Sequence, residues 1–485
     1  MYRLLPVLHV LSKLSWLFSP ILLVPAIVSW LYMDGLMWVH LGAAGFAFCS
    51  SMVMWLATWK FKQELRTRDG FLLATGLWVG FSVVAAVPFY FSVPQMSPIE
   101  AYFEAVSGLT TTGATMIASL DTLAPSLNFW RHLLNWIGGL GIIILAVAIL
   151  PMLGVGGMQL FRSEVSGLNK GSRFMPRVRQ MAKSMWVIYI LFTIIILFAL
   201  RWAGMSWFDA VCHAMSCIAL GGFSTHSDSI AYFNSPLIES ILIGGMLLGA
   251  VSFTNHFAVF QQRSLKVYWR DLEVRSTLFL IVISTLIMAF SLWSKDFYDF
   301  GTAIRHTLFA IVSIGTACGY STENFGAWPL ATSMWLFFLA NVLANAGSTG
   351  GGIKMIRLLV LVQFMLREMT LLLHPKAVRT VKINDLNIPE RTALTVLAFV
   401  CVYFGSVVLF SFILMASGFD FVSAVSTVVS CITNTGPALG ITDPSHSSWL
   451  GLSNFQKISC SVVMLVGRLE VVTVFILFTP AYWRR

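Results

Sequence analysis

Four stretches of the 485-residue sequence pair a serine with a glycine six residues later: SGLTTTG (107–113), SCIALGG (216–222), SIGTACG (313–319) and SCITNTG (430–436). They carry no carboxylate and no histidine. What they offer is neutral oxygen, from main-chain carbonyls and from threonine hydroxyls. A ring of such oxygens replaces the hydration shell of a monovalent cation. Glycine permits the positive φ, or the close approach, that aims successive carbonyls the same way. The candidate ion-coordinating residues are Thr110, Thr111, Thr112 and Gly113; Leu220, Gly221 and Gly222; Ala317, Cys318 and Gly319; and Asn434, Thr435 and Gly436.

Each stretch needs an element to carry it. Ten residues before Ser107 and Ser216 stand Ser97 and Ser206, followed three residues on by Glu100 and Asp209. A serine with an acid at the third helical position marks a helix start, strengthened in the first copy by Pro98. Asp420 holds the equivalent slot in the fourth copy, while the third has Ala303 there, which leaves its helix start open. Ten residues make about 15 Å of helix, half a hydrocarbon core. Each repeat then reads as span, half-helix, polar extended loop, span. The first spans begin near 68, 182, 273 and 391, and the second near 128, 237, 329 and 453. Two further spans, about 8–31 and 37–59, precede the repeats and bring the total to ten.

Composition agrees with immersion in a bilayer. Hydrophobic residues make up 57% of the chain and charged residues 11%, with mean hydropathy +0.81; a soluble protein would carry roughly a quarter charged residues. The fold class is an all-α polytopic membrane protein, four span–loop–span repeats around a pseudo-fourfold pore plus two extra N-terminal helices. Non-helical backbone at membrane depth is tolerated only inside protein or against water, so four such loops predict a pore. The half-helices end just before the loops, turning their partly negative C-termini toward a cation.

The net charge of +10 is distributed as a topology signal. Lys60, Lys62, Arg66 and Arg68 share one loop; Arg162, Lys170, Arg173, Arg177, Arg179 and Lys183 a second; Arg263, Lys266, Arg270 and Arg275 a third; and 354–391 holds a fourth cluster. Loops 93–127, 204–236 and 417–456 contain no Lys or Arg. Basic loops are cytoplasmic, so the pattern explains the high pI with no nucleic acid, and places both termini in the cytoplasm. The outer side is acidic: Glu100, Glu104, Asp121, Asp209, Asp228, Asp296, Asp299, Glu323, Asp420 and Asp443 are expected to face only Lys295 and Arg305, a vestibule that concentrates cations. Seven cysteines at no metal-like spacing give neither a disulfide framework nor a zinc site.

The four-repeat layout, the two extra N-terminal helices and AGSTGGGIK (346–354) resemble the Trk/Ktr/HKT superfamily of potassium transporters, along essentially the whole chain. That resemblance implies potassium uptake across the bacterial inner membrane. In the superfamily, glycine at the filter position of the first repeat goes with potassium preference and serine with sodium; Gly113 implies potassium. The sequence departs from the T-V-G-Y-G signature of potassium channels, because only one filter glycine recurs in all four copies. One or two well-formed ion sites are expected. The resemblance further implies a homodimer and a cytosolic nucleotide-binding regulatory ring of the TrkA kind. This chain has no convincing G-x-G-x-x-G after a strand, so nucleotide sensing belongs to that partner. Loops 162–183 and 354–391 are candidate docking surfaces for it, or plain topology signals. No cofactor is expected beyond K+ as the transported ion.

From Trp328 to Leu373 the apolar stretch is too long for one crossing and is interrupted at 345–352. Asn345, Gly347, Ser348, Thr349, Gly350, Gly351 and Gly352 form either a hinge of close-packing glycines or, as the resemblance implies, an intramembrane loop beneath the filter that moves on gating. Arg468 lies about fifteen residues into the last span. A mid-membrane arginine costs roughly 2.5–3.5 kcal/mol on insertion scales and so faces protein or water. It is either partner to a distant carboxylate, since Glu470 faces elsewhere, or a positive charge in the cavity, bonded to carbonyls of the 345–352 loop. An intramembrane hydrolase using Ser348 would need a base, and no histidine is placed near it. A proton- or sodium-coupled symporter is the alternative mechanism; coupled transporters usually hold ionisable groups at mid-membrane, and none is evident at the filters. The expected division is an N-terminal pair (1–67) and repeats at 68–165, 166–262, 263–380 and 381–485.

Overall fold

The computed structural model describes residues 4–61, 65, 68–144, 174–384, 386–440 and 449–484. Lys62, Arg66, Arg162, Lys170, Arg173 and Asp443 lie outside them. Among the described residues, six helices are long and apolar enough to cross a membrane, or eight with two bent pairs counted as spans. The N-terminal pair is α1 (Leu4–Tyr32, crossing a short 3₁₀ turn) and α2 (Met37–Thr58). The first repeat comprises α3 (Asp69–Ser92), the short α4 (Pro98–Leu109) and α5 (Pro125–Ile144). The second comprises α6 (Phe174–Trp202), α7 (Trp207–Ala219), α8 (Pro236–Ala250) and α9 (Phe253–Gln262). In the third are α10 (Leu272–Trp293), α11 (Phe300–Gly315), α12 (Leu330–Ala340) and α13 (Met355–Leu373). A two-stranded hairpin, β1 (Val381–Ile383) and β2 (Leu386–Ile388), leads to the fourth: α14 (Glu390–Ala416), α15 (Phe421–Thr433) and α16 (Asn454–Arg468).

The short helices start where the caps predict. Ser97 accepts the Glu100 N–H and Glu100 reaches back to the Ser97 N–H, closing a capping box, while Ser206 and Asp420 cap α7 and α15. The start left open in the third copy is Asp299, one turn ahead of Ala303, whose carboxylate accepts the Thr302 N–H at 3.1 Å.

The second spans depart from expectation. A break was expected only in the third, yet α8 and α9 meet at 94° and α16 bends by 106° into Val472–Phe478. The third break is also wider than 345–352, running from Asn341 to Lys354. Inner-helix packing sets the third repeat apart from the others. Thirteen residues into α5, α8 and α16 stand Gly138, Gly249 and Gly467, where any β-carbon would clash with the carbonyls of Leu109, Ile218 and Ile432 at the ends of α4, α7 and α15. The corresponding position in the third repeat is Leu343, beyond the end of α12, and it packs on Gly315 of α11. Bulk and glycine have changed places.

The acidic outer side needs correcting as well. Glu104 is fully buried and pairs with Arg131 at 2.7 Å, while also accepting from Thr115 and the Met116 N–H. Glu100 binds Lys457 at 2.6 Å and Glu239 binds Arg305 at 2.6 Å. Arg131 and Lys457 sit at the starts of second spans, where apolar neighbours hid them from the loop tally. Several acids therefore hold the outer ends together.

Removing one member of a buried pair strands the other. Arg131→Ala is expected to lower stability by about 3–5 kcal/mol, with the double variant Arg131→Met/Glu104→Leu recovering most of it. Thermal unfolding in detergent measures both; an unchanged midpoint in the single variant would remove the structural role given to this pair.

Candidate ion-coordinating site

The four short helices end alike. In each, the repeat serine's carbonyl accepts the N–H five residues on: Thr112 at 2.8 Å, Gly221 at 2.9 Å, Cys318 at 2.8 Å and Thr435 at 2.9 Å. The N–H before it, of Thr111, Leu220, Ala317 or Asn434, bonds the carbonyl three residues back. This is the Schellman helix end, which needs a left-handed residue just past the helix. Thr111, Leu220, Ala317 and Asn434 take it, at φ 58°, 54°, 64° and 58°. Side-chain-bearing residues there cost on the order of 1 kcal/mol or more each. The repeat glycines follow two residues later, at φ 82°, 67°, 94° and 98°. The serine–glycine spacing is thus the length of one helix end plus one turned residue.

Three of the four serine hydroxyls do a second job, while Ser430 Oγ is buried with no partner among the described residues. Ser107 Oγ donates to Ala114 O and Ser313 Oγ to Tyr320 O, both at 2.6 Å, fixing the residue after the glycine. Ser216 Oγ accepts from Asn135 Nδ2 instead.

The glycines close a ring. A β-carbon on Gly113 would clash with Gly221 O, one on Gly222 with Cys318 O, one on Gly319 with Thr435 O, and one on Gly436 with Thr112 O. Each glycine abuts the carbonyl just before the next repeat's glycine, and the fourth returns to the first. The surrounding donors are neutral: Thr110 and Thr112 hydroxyls lie 2.8 Å apart, and those of Thr433 and Thr435 2.7 Å apart. Asn434 Nδ2 ties the fourth strand to Thr112 Oγ1 at 3.0 Å. Thr316 Oγ1 and Asn434 Oδ1 are buried there with no protein partner among the described residues. No group of three His, Cys, Asp or Glu side chains suited to a metal ion occurs among the described residues. Uncharged oxygens suit a monovalent ion better than a divalent one, which recruits carboxylates.

Residues 341–354 lie directly beneath. Thr349 Oγ1 donates to Ile218 O at 3.0 Å and to Gly249 O at 3.2 Å; Gly350 lies against Thr316 O, and Gly351 against Thr433 O. The loop thus underlies α7, α11 and α15. Asn345 N–H donates to Ala250 O, Ser348 Oγ bonds Asn345 O, Gly347 O accepts the Phe253 N–H, and Gly347 and Gly352 have positive φ. Arg468 is 3% exposed and donates to Thr349 O at 2.8 Å and to Gly138 O at 2.9 Å, so it bridges the loop to the first repeat's inner helix.

Residues 40–485 match the family model TrkH, described as cation transport protein. A Trk system potassium uptake protein TrkH from Halomonas elongata is 41% identical over 99% of each chain. The Trk system potassium uptake protein TrkG of Escherichia coli K12 is 36% identical over 99% of this chain and 98% of its own. The crystal structure of the potassium transporter TrkH from Vibrio parahaemolyticus superposes with TM-score 0.91 at 37% identity, covering 99% of this chain and 100% of that one. This chain belongs to the TrkH family of cation transport proteins.

Three features of this TrkH-family chain had no sequence signal of their own. Glu273, in the first turn of α10, accepts the N–H groups of Ala346 at 2.7 Å, inside the loop, and Ile356 at 3.2 Å, just after it. Glu470, just past the α16 bend, holds Arg357 at 2.7 Å and Lys354 at 3.9 Å. On the outer side His226 stacks on Tyr232 and bridges Asp121 at 2.8 Å and Asp209 at 3.5 Å, linking the first two repeats. The Glu273 and Glu470 contacts, and that of His226 with Asp121, span at least 73 residues, beyond the reach of local spacing.

Gly319→Ala is expected to abolish a stable fold or shift thermal unfolding strongly downward. Gly244→Ala, in open space on α8, should gain about 0.5–1 kcal/mol; equal midpoints for the two would discount the ring. Partial burial lowers the His226 pKa, but hydrogen bonds and charge from Asp209 and Asp121 outweigh it and hold the value above 6.5. Its stabilising tie is complete below the unfolded value and is lost as pH rises through the folded one. Titrating the labelled His226 ring by NMR should show the raised value, and Asp121→Asn should lower it; no change on that substitution would dismiss the bridge.

Proposed function

We propose that this chain takes up potassium across the bacterial inner membrane through a channel-like pore, with the carbonyl ring at Gly113, Gly222, Gly319 and Gly436 as its selectivity filter. The observation that carries the reading is ring closure: four repeats contribute one glycine–carbonyl contact each and return to the start. The relatives' names as potassium uptake proteins support the choice of ion. Four C-terminal helix ends directed at the ring favour a cation, and the neutral oxygens stand in for its hydration shell.

Loop 341–354 and Arg468 are the gate in this reading. The loop underlies three of the four helix ends, and Arg468 adds a positive charge beneath the ring that no carboxylate pairs among the described residues. Opening moves the loop aside and breaks the bond between Arg468 and Thr349 O. The membrane subunit works as a homodimer, with both termini cytoplasmic. A cytosolic nucleotide-binding ring biases the loop through α13 and the hairpin, whose Asn384 Oδ1 accepts the Leu272 N–H at the start of α10.

In proteoliposomes, Arg468→Ala and, separately, a deletion within 347–352 should each raise potassium flux several-fold, with rubidium carried and sodium and lithium carried poorly. Unchanged flux in both correctly folded variants would dispose of the gate. A reversal potential that moves with pH or sodium would replace the channel-like mechanism by symport.

A further inference from the structure

On the outside of the bundle, far from the ring, a groove of about 650 Å³ opens between α1 and α2. Its apolar walls include Leu14, Leu17, Phe48 and Met52, and its one charged residue is Lys13. Trp16 and Trp55 line it too. Lys13 is exposed and has no ion-pair partner among the described residues. The indole N–H groups of Trp16 and Trp55 likewise have no acceptor among the described residues. The groove therefore gathers one cation and two hydrogen-bond donors beside a greasy channel.

Its depth fits a headgroup. His9 Nδ1 lies 3.3 Å from Thr58 Oγ1, which sets His9 level with the last residue of α2. Lys13 is one turn, about 6 Å, deeper. Side chains on a helix lean toward its N-terminus, so the lysine stem climbs back toward the surface, as snorkelling lysines do. By the charge pattern that surface is cytoplasmic, and Lys60 stands just beyond α2.

We propose that this groove binds one anionic phospholipid of the cytoplasmic leaflet. An acyl chain fills the apolar trough against Trp16, whose ring lies on Phe48, and phosphate oxygens accept from Lys13. Basic pockets between spans on that side take acidic headgroups. The proposal rests on the topology and not on the filter, so either can fail alone.

The test is native mass spectrometry of the full chain in mild detergent, titrated with dioleoyl phosphatidylglycerol and, separately, dioleoyl phosphatidylcholine. The wild type should retain the anionic lipid about fivefold better, the factor expected for one basic residue near the surface. Lys13→Gln should bind both alike. Met52→Trp, which fills the groove from an exposed wall position, should lose both adducts. Equal retention of the two lipids by wild type, or an undiminished preference in Lys13→Gln, overturns the proposal. So does a change of oligomeric state in Met52→Trp with its adducts intact, which would give the groove to a second copy of the chain.

Discussion

Every main-chain polar group at membrane depth must find a partner inside the protein, and four helices of this chain stop half-way through. Their last carbonyls and the strands that follow cannot be left to lipid. The Schellman ends satisfy two carbonyls in each, and in three repeats the close-packed inner-helix glycines bring neighbouring backbone against a further one. What is left over, the carbonyls of Thr112, Gly221, Cys318 and Thr435, meets at the ring. The proposed filter is thus the residue of an unavoidable accounting problem: the oxygens that no N–H reaches are the ones available to an ion. Four left-handed residues with side chains are the strain this arrangement retains, and they sit where displacement would open the ring.

Buried charge follows the same discipline. Glu104 and Arg131 lie behind the first repeat's strand, with Arg131 also donating to Ser224 O and lying over the Phe223 ring, so the pair clamps the first repeat to the second. Lys457 to Glu100 joins the fourth repeat to the first, and Arg305 to Glu239 joins the third to the second. Two joints of the ring thus carry an ion pair, and a third is held by the paired Arg131 through Ser224 O, all on the face opposite residues 341–354. Arg468 is the exception: its partners among the described residues are neutral carbonyls from the loop and from α5 and the ring of Trp78, and its Nε has no acceptor among them. A charge so weakly compensated is stable only while those carbonyls stay in place, which couples its position to the loop's.

Much of this was legible in the sequence because it is local. Caps, helix starts and the serine–glycine interval are set within eleven residues, so Ser97, Ser206 and Asp420 announced α4, α7 and α15. Asp299 escaped because α11 is a turn longer than its siblings and the alignment to the serine pointed at Ala303. The α8–α9 and α16 bends escaped for a different reason. Hydropathy runs on through them, and the causes are packing against a neighbouring repeat. Pairings such as Glu104 with Arg131 were hidden because a basic residue at the top of a span looks the same whether it meets solvent or a buried acid.

The third repeat shows why a single exchange of bulk matters. Where the other inner helices place glycine against the neighbouring helix end, this one places Leu343, and the helix has already stopped at Ala340. The chain then needs fourteen residues, Asn341 to Lys354, before helix resumes. Those residues are the ones that underlie the ring. Lys354 ends the loop at φ 76° and ψ 149°, a conformation all but reserved for glycine, and the α16 bend places Glu470 at φ 54° beside it. Lys354 and Arg357 share Glu470's carboxylate, so the two strained breaks are tied to one another across repeats. Strain of this kind persists only while its surroundings over-determine it. Lys354, at the head of α13, and Glu470, past the end of α16, are therefore placed by one shared ion pair. A symmetric bundle would have no such irregular quadrant, and the broken symmetry is what singles out this stretch as the gate of the proposed pore.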